Sequence, residues 1–186
     1  MRFIRGIIGA ATLLMLTSAP ARAEGFITPF IGYNFGGDSG NCRSLTDCQE
    51  KRTNIGVSIG RTGTPVGFES DFSFATNFFG DAPDSKNSVF TAMGNLLVGI
   101  GVGPVRPYVV GGVGLIRPHV SAFSIDSDKN AFGYDIGGGV SGYLSPHIGL
   151  RGDIRHFHTL QDVDVLIFTG EKLAFWRASV GLVLKF

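Results

Sequence analysis

Hydrophobic and polar positions alternate along most of the chain, the period of strands that have one dry face and one wet face. The alternation predicts eight strands, near residues 25–35, 52–61, 66–78, 88–101, 107–117, 131–142, 147–158 and 173–186. In the third run Phe68, Ser70, Phe72 and Phe74 share one face, and Gly67, Glu69, Asp71, Ser73 and Ala75 share the other. In the seventh, Ile148, Leu150 and Ile154 oppose Arg151, Asp153 and Arg155. In the eighth, Trp176, Ala178, Val180, Leu182, Leu184 and Phe186 form an apolar row against Arg177, Ser179, Gly181, Val183 and Lys185. The second and sixth runs place Gly56, Ser58, Gly60, Gly133, Asp135, Gly137, Gly139 and Ser141 between bulkier apolar residues. Small residues on the polar side suit a crowded interior of narrow radius, and bulky ones on the apolar side suit contact with lipid. In water so large an apolar surface would aggregate.

The connections alternate in length as well. Residues 36–51, 79–87, 118–130 and 159–172 read as longer polar loops, whereas Thr62 to Pro65, Val102 to Arg106 and Tyr143 to Pro146 read as tight turns. With both termini on one side, the short turns fall beside the termini and the long loops at the opposite end, the asymmetry of a transmembrane barrel. No apolar stretch beyond residue 24 reaches the length of a helical span. Strands in lipid must close on one another because an open edge leaves backbone groups unsatisfied. The pattern therefore predicts an all-β fold, an eight-stranded antiparallel up-and-down transmembrane β-barrel.

Residues 1–23 carry a different signal. Arg2 and Arg5 precede an apolar segment from Ile7 to Leu16, and Ala21-Arg22-Ala23 has the form of a cleavage site, so the segment reads as a secretory signal peptide. Residues 24–186 then form the barrel domain. Cleavage before Glu24 removes Arg2, Arg5 and Arg22, leaving 13 of the 16 basic residues against 15 acidic ones, a formal charge of −2. The whole-chain value of +1 is thus no sign of nucleic-acid binding, and no basic patch or zinc-finger spacing supplies one. The 28 glycines and the charged fraction of only 17% fit strands better than a helical bundle.

The signal segment, the eight runs and the terminal alternation from Trp176 to Phe186 resemble the OmpA/OmpX-like small outer-membrane β-barrel proteins of Gram-negative bacteria. The resemblance covers residues 24–186. It implies an integral outer-membrane location, contact with outer-membrane lipid, and folding by the barrel-assembly machinery, for which the C-terminal aromatic Phe186 serves as an assembly signal. It also implies the barrel-only form, with no peptidoglycan-binding domain following, and a monomer.

Strand parity sends Glu69, Asp71, Asp135, Arg151, Asp153, Arg155, Arg177 and Lys185 into the lumen. Isolated charges there are costly, so a paired network that fills and closes the barrel is expected. A narrow conduit or small-anion site at Arg151 and Arg155 is the competing use of the same groups. Catalysis would need a nucleophile, a base and an orienting group. His156 and His158 precede a loop containing Asp162 and Asp164, but no serine stands at a recognisable spacing, and His119 and His147 lie beside turns outside any metal-ligand cluster. Gly111-Gly112-Val113-Gly114 and Gly137-Gly138-Gly139 lack the phosphate-loop continuation. The only cysteines, Cys42 and Cys48, fall in the first long loop and are expected to form a local disulfide after export. No cofactor, metal or catalytic residue is expected. The expected function is structural, in envelope integrity, with four loops presented outside. The alternatives are a surface binding or adhesion module, a narrow solute channel and a lipid-modifying enzyme. A loop partner would engage Phe123 to Asn130 or Thr159 to Lys172.

Overall fold

A computed structural model of the chain describes residues 24–37, 39, 52–79, 85–122, 125–128, 130–160, 163–165 and 168–186. The signal segment and both cysteines, Cys42 and Cys48, lie outside the described residues.

Eleven strands are present among them: β1 Glu24–Phe35, β2 Thr53–Thr62, β3 Val66–Thr76, β4 Ser85–Gly99, β5 Val105–Ala122, β6 Ile125–Asp128, β7 Ala131–Tyr143, β8 Ile148–Thr159, β9 Val163–Val165, β10 Phe168–Glu171 and β11 Ala174–Lys185. Eight of them close into an antiparallel ring, each paired with its neighbour in the chain order β1, β2, β3, β4, β5, β7, β8, β11, and β11 with β1. Closure leaves no barrel edge unpaired in the apolar phase. Stepping across paired residues from Gly25 through Arg61, Phe68, Leu96, Gly111, Ile136, His156 and Trp176 returns to β1 at Phe35. The return lies ten residues beyond the start (35 minus 25), which is the shear of the barrel. Eight strands with that shear tilt by about 40° and enclose a radius of about 8 Å to the backbone, room for side chains and little else.

Burial alternates along the ring strands, most cleanly along β3 and β8. The outer face carries exposed apolar residues such as Ile31, Phe72, Val113, Ile136, Leu150 and Val180. Three short connections lie at the end that holds the termini, called here the turn end. At one of them Val102 bridges Val105, and Gly103 takes a φ of +62° at the first central position, a conformation that glycine adopts without a Cβ clash.

At the opposite, loop end the structure departs from the simple pattern. β4 and β5 stay paired out to Ser85 and Ala122, and β6 adds to β5 from His119 to Ala122, forming a ribbon where loops were expected. Both faces of a ribbon beyond the bilayer meet water, so its sequence need not alternate, while the mutual hydrogen bonds still satisfy the backbone. A second small hairpin joins β9 to β10. The third strand is shorter than the expected 66–78: Asn77 adopts a φ of 53°, and the chain turns so that Phe78 and Phe79 are buried.

Candidate functional site

The lumen is filled in three layers, and all eight ring strands contribute side chains to them. The central layer is ionic. Arg155, from β8, is fully buried at its middle. Its Nη2 contacts Glu69 Oε1 at 2.7 Å and Asp153 Oδ2 at 3.0 Å, and its Nη1 lies 3.4 Å from Asp135 Oδ2 and 3.7 Å from Asp71 Oδ2. Arg151, two pleat repeats nearer the turn end, donates from Nη1 to Glu69 Oε2 at 2.7 Å and from Nε to Asp153 Oδ2 at 3.1 Å. Arg177, from β11, donates from Nη2 to both oxygens of Asp71 at 2.9 and 3.0 Å. Its guanidinium lies 4.7 Å from the Phe30 ring centre and 4.8 Å from that of Phe157.

Neutral groups complete the coordination of the carboxylates. Ser58 donates to Asp71 Oδ2 and Ser179 to Asp153 Oδ1, each at 2.8 Å. Tyr108 donates to Asp153 Oδ2 at 2.8 Å and accepts from Arg151 Nε at 2.6 Å. Asn95, with its amide oriented to satisfy both neighbours, donates to Asp135 Oδ1 at 2.7 Å and accepts from Arg155 Nη1 at 2.9 Å. Glycine makes the room: a Cβ at Gly139 would collide with the Tyr108 hydroxyl and Asp153 Cβ, and one at Gly137 with Arg155. These contacts join residues as much as 106 positions apart, Arg177 with Asp71, and so tie opposite walls of the barrel together.

Above this layer, at the loop end, an apolar cap comprises Phe78, Phe79, Val89, Met93, Ile116, Phe157, Leu173 and Phe175 with two alanines. Phe157 stacks on Phe175 with ring centres 4.9 Å apart, and Phe78 meets Phe175 edge-on at 4.8 Å. The turn that brings Phe78 and Phe79 inward is held by Asn87 Oδ1, which accepts from Phe79 N at 2.8 Å. Below the ionic layer a second cluster joins Phe26, Leu97, Tyr108, Val110 and Val183, with Tyr143 against it. Sequence reading missed both apolar layers. The available signal was parity, since Phe157 shares a face with Arg155, and Phe175 with Arg177.

The remaining candidate residues lie elsewhere. Lys185 sits at the turn-end rim, where Nζ meets Glu24 Oε2 at 2.8 Å and lies 3.6 Å from the Tyr143 ring centre. Phe186 exchanges two backbone hydrogen bonds with Gly25, and its ring is exposed on the outer side. His156 and His158 lie half-buried on the outer face near the loop end, His156 4.8 Å from Trp176 and His158 stacked 5.5 Å from Tyr134. His158 Nδ1 lies 2.6 Å from the Thr159 carbonyl oxygen. No group of three or more potential metal ligands occurs among the described residues.

Comparison with known proteins agrees with this architecture. The family model described as "Outer membrane protein beta-barrel domain" matches residues 8–186. The chain is similar to the crystal structure of Neisserial surface protein A, with 18% identity and a TM-score of 0.67 over 87% of this chain and 97% of that one. It is also similar to the N-terminal β-barrel domain of Pseudomonas aeruginosa OprF, with 14% identity and a TM-score of 0.62 over 89% and 99% of the two chains. A third similar structure is Ail, the attachment invasion locus protein of Yersinia pestis, in complex with the heparin analogue sucrose octasulfate; identity is 12% and the TM-score 0.52 over 87% and 99%. No curated protein sequence matches the chain.

Proposed function

From the premise that the chain belongs to the outer membrane protein beta-barrel domain family, an integral barrel of the bacterial outer membrane, we propose a closed, non-conducting role in envelope integrity. The family fold carries with it embedding in the lipid bilayer and assembly by the barrel-assembly machinery; in this reading Phe186 is the assembly signal, and the mature barrel is a monomer beginning at Glu24. The loop end faces outward and presents its ribbon and loops.

The observation that supports closure is the packing of Glu69, Asp71, Asp135, Arg151, Asp153, Arg155 and Arg177 into one buried ionic layer, with an aromatic cap above it. Buried charges of this kind are held in place by mutual pairing, because each is costly to leave alone. A conducting barrel instead needs a continuous hydrated bore. Planar-bilayer recording tests the proposal. Wild-type protein is expected to give no steady conductance, and reproducible long-lived channels altered by both Arg151→Ala and Arg155→Ala would overturn it.

A binding role at the loop end is the second reading, and the ribbon of β4, β5 and β6 supports it. A ribbon stiffened by backbone pairing holds a recognition surface at low entropic cost. Binding of labelled cells or sulfated glycans to the reconstituted protein, lost on shortening the 118–130 segment, is its test.

A further inference from the structure

Towards the turn end, beneath the ionic layer, lies a cavity of about 20 Å³ whose walls include Thr28, Thr62, Arg106, Tyr108, Ser141 and Arg151. A water molecule needs roughly 10–15 Å³ of such space, so the cavity accommodates one small occupant and excludes bulky oxyanions. Two polar atoms in its wall have no protein partner, Arg151 Nη2 and Thr28 Oγ1. Their residues are only 6% and 1% exposed. Leaving such a donor unsatisfied costs more than an ordinary hydrogen bond returns.

The chemistry of the walls selects the occupant. Arg151 has already committed Nη1 to Glu69 and Nε to Asp153 and Tyr108. Its guanidinium is held over Tyr108, 4.7 Å from the ring centre, and 5.9 Å from that of Phe26, so Nη2 has a fixed direction. Arg106 Nη2 donates to the Gly63 carbonyl oxygen, and no carboxylate among the described residues pairs with this second guanidinium. No aspartate or glutamate lines the cavity. The lumen carboxylates Glu69 and Asp153 are each bound by both Arg151 and Arg155, Asp71 and Asp135 belong to the side nearer the loop end, and Glu24, at the turn-end rim, is paired with Lys185.

We propose that this cavity is a halide site, taking chloride from the turn-end solution. A guanidinium only donates, and the hydroxyls of Thr28 and Ser141 can turn their hydrogens inward, while that of Thr62 donates to the Glu24 carbonyl oxygen. A monoatomic anion accepts from the guanidinium and these hydroxyls at once, and between two guanidiniums with no carboxylate in the wall it gains a charge interaction that a water, which would donate to the same hydroxyls, does not. The inference depends on the cavity and holds whether the barrel serves envelope integrity or surface binding.

Crystals of the detergent-solubilised barrel grown in sodium bromide, measured at the bromine absorption edge, test it directly. One anomalous peak is expected at hydrogen-bonding distance from Arg151 Nη2 and Thr28 Oγ1; density there that refines as water would overturn the proposal. In solution, the urea midpoint of wild-type protein is expected to rise with chloride relative to gluconate at equal ionic strength. Thr28→Val should abolish the difference. Arg106→Gln, which leaves the ionic layer intact, should raise the half-saturating chloride concentration about tenfold, equivalent to about 1.4 kcal/mol. Equal midpoints in the two salts, or an unchanged half-saturation in Arg106→Gln, would also overturn it, and the latter variant carries the solution test if Thr28→Val fails to fold.

Discussion

Replacing Arg155 by methionine keeps most of the side-chain volume and removes the charge at the centre of the lumen. In the wild-type protein this one guanidinium reaches Glu69 at 2.7 Å, Asp153 at 3.0 Å and Asp135 at 3.4 Å. Without it four buried carboxylates share two guanidiniums, Arg151 and Arg177. Each lost charge-assisted hydrogen bond is worth about 1.5–3 kcal/mol, but they act as a unit and do not add. Breaking one side of a buried pair costs about 3–5 kcal/mol, and that is the expected loss for Arg155→Met. Adding Glu69→Gln removes one of the stranded charges, so the double variant should be more stable than the sum of the single losses by about 1–3 kcal/mol. Urea titration in lipid vesicles can follow Trp176, the only tryptophan, which is 42% exposed on the outer face and moves from lipid to water on unfolding. A loss below about 1 kcal/mol for Arg155→Met, or strict additivity in the double variant, would refute the reasoning and indicate that water already solvates these carboxylates.

Spin labels at Phe72, Leu150 and Leu182 should report a lipid environment, and labels at Asp71, Arg151 and Gly181 should not; the same oxygen accessibility at both sets would contradict the face assignment. Phe157→Ala, at a fully buried ring of the cap, should cost about 3–5 kcal/mol and still leave the barrel non-conducting, because it removes a ring face beside Arg177 but none of the ion pairs beneath; steady channels in this variant would place the seal in the cap alone. The mature protein should begin at Glu24 and yield a peptide linked through Cys42 and Cys48 under non-reducing mapping, with reduction stabilising or destabilising the barrel by no more than about 2–3 kcal/mol and leaving its β spectrum intact. Recovery of free thiols from envelope protein would rule that linkage out, and loss of the β signal on reduction would show that its effect is not confined to the first loop.

The barrel was legible from local pattern because the pleat is a local property. Successive residues of a strand point to opposite sides, so Leu150 and Arg151 declare different surroundings whatever lies next to them. Turn lengths set which strands are neighbours, and the need to satisfy every backbone group in lipid requires the ring to close. Pairing inside the lumen is of another kind. That Arg177 meets Asp71 across 106 residues, or that Arg155 reaches both Glu69 and Asp135, depends on the register of every strand pair and on the accumulated shear around the ring. A slip of one residue in any pair would exchange an inward face for an outward one. Phe157 and Phe175 of the cap were within reach of parity, but Phe78 and Phe79 were not, because they become lumen residues only through the turn at Asn77 and the Asn87 contact that holds it. The ribbon of β4, β5 and β6 escaped notice for the opposite reason: with water on both sides, its backbone pairing leaves no alternation to read. Sequence alone therefore determined the faces, the number of strands in the ring and the membrane setting, where each choice is made by a few neighbouring residues. The partners within the lumen, its cap and the cavity beneath were decided by the tertiary structure, because contacts across a closed ring depend on all eight strands at once.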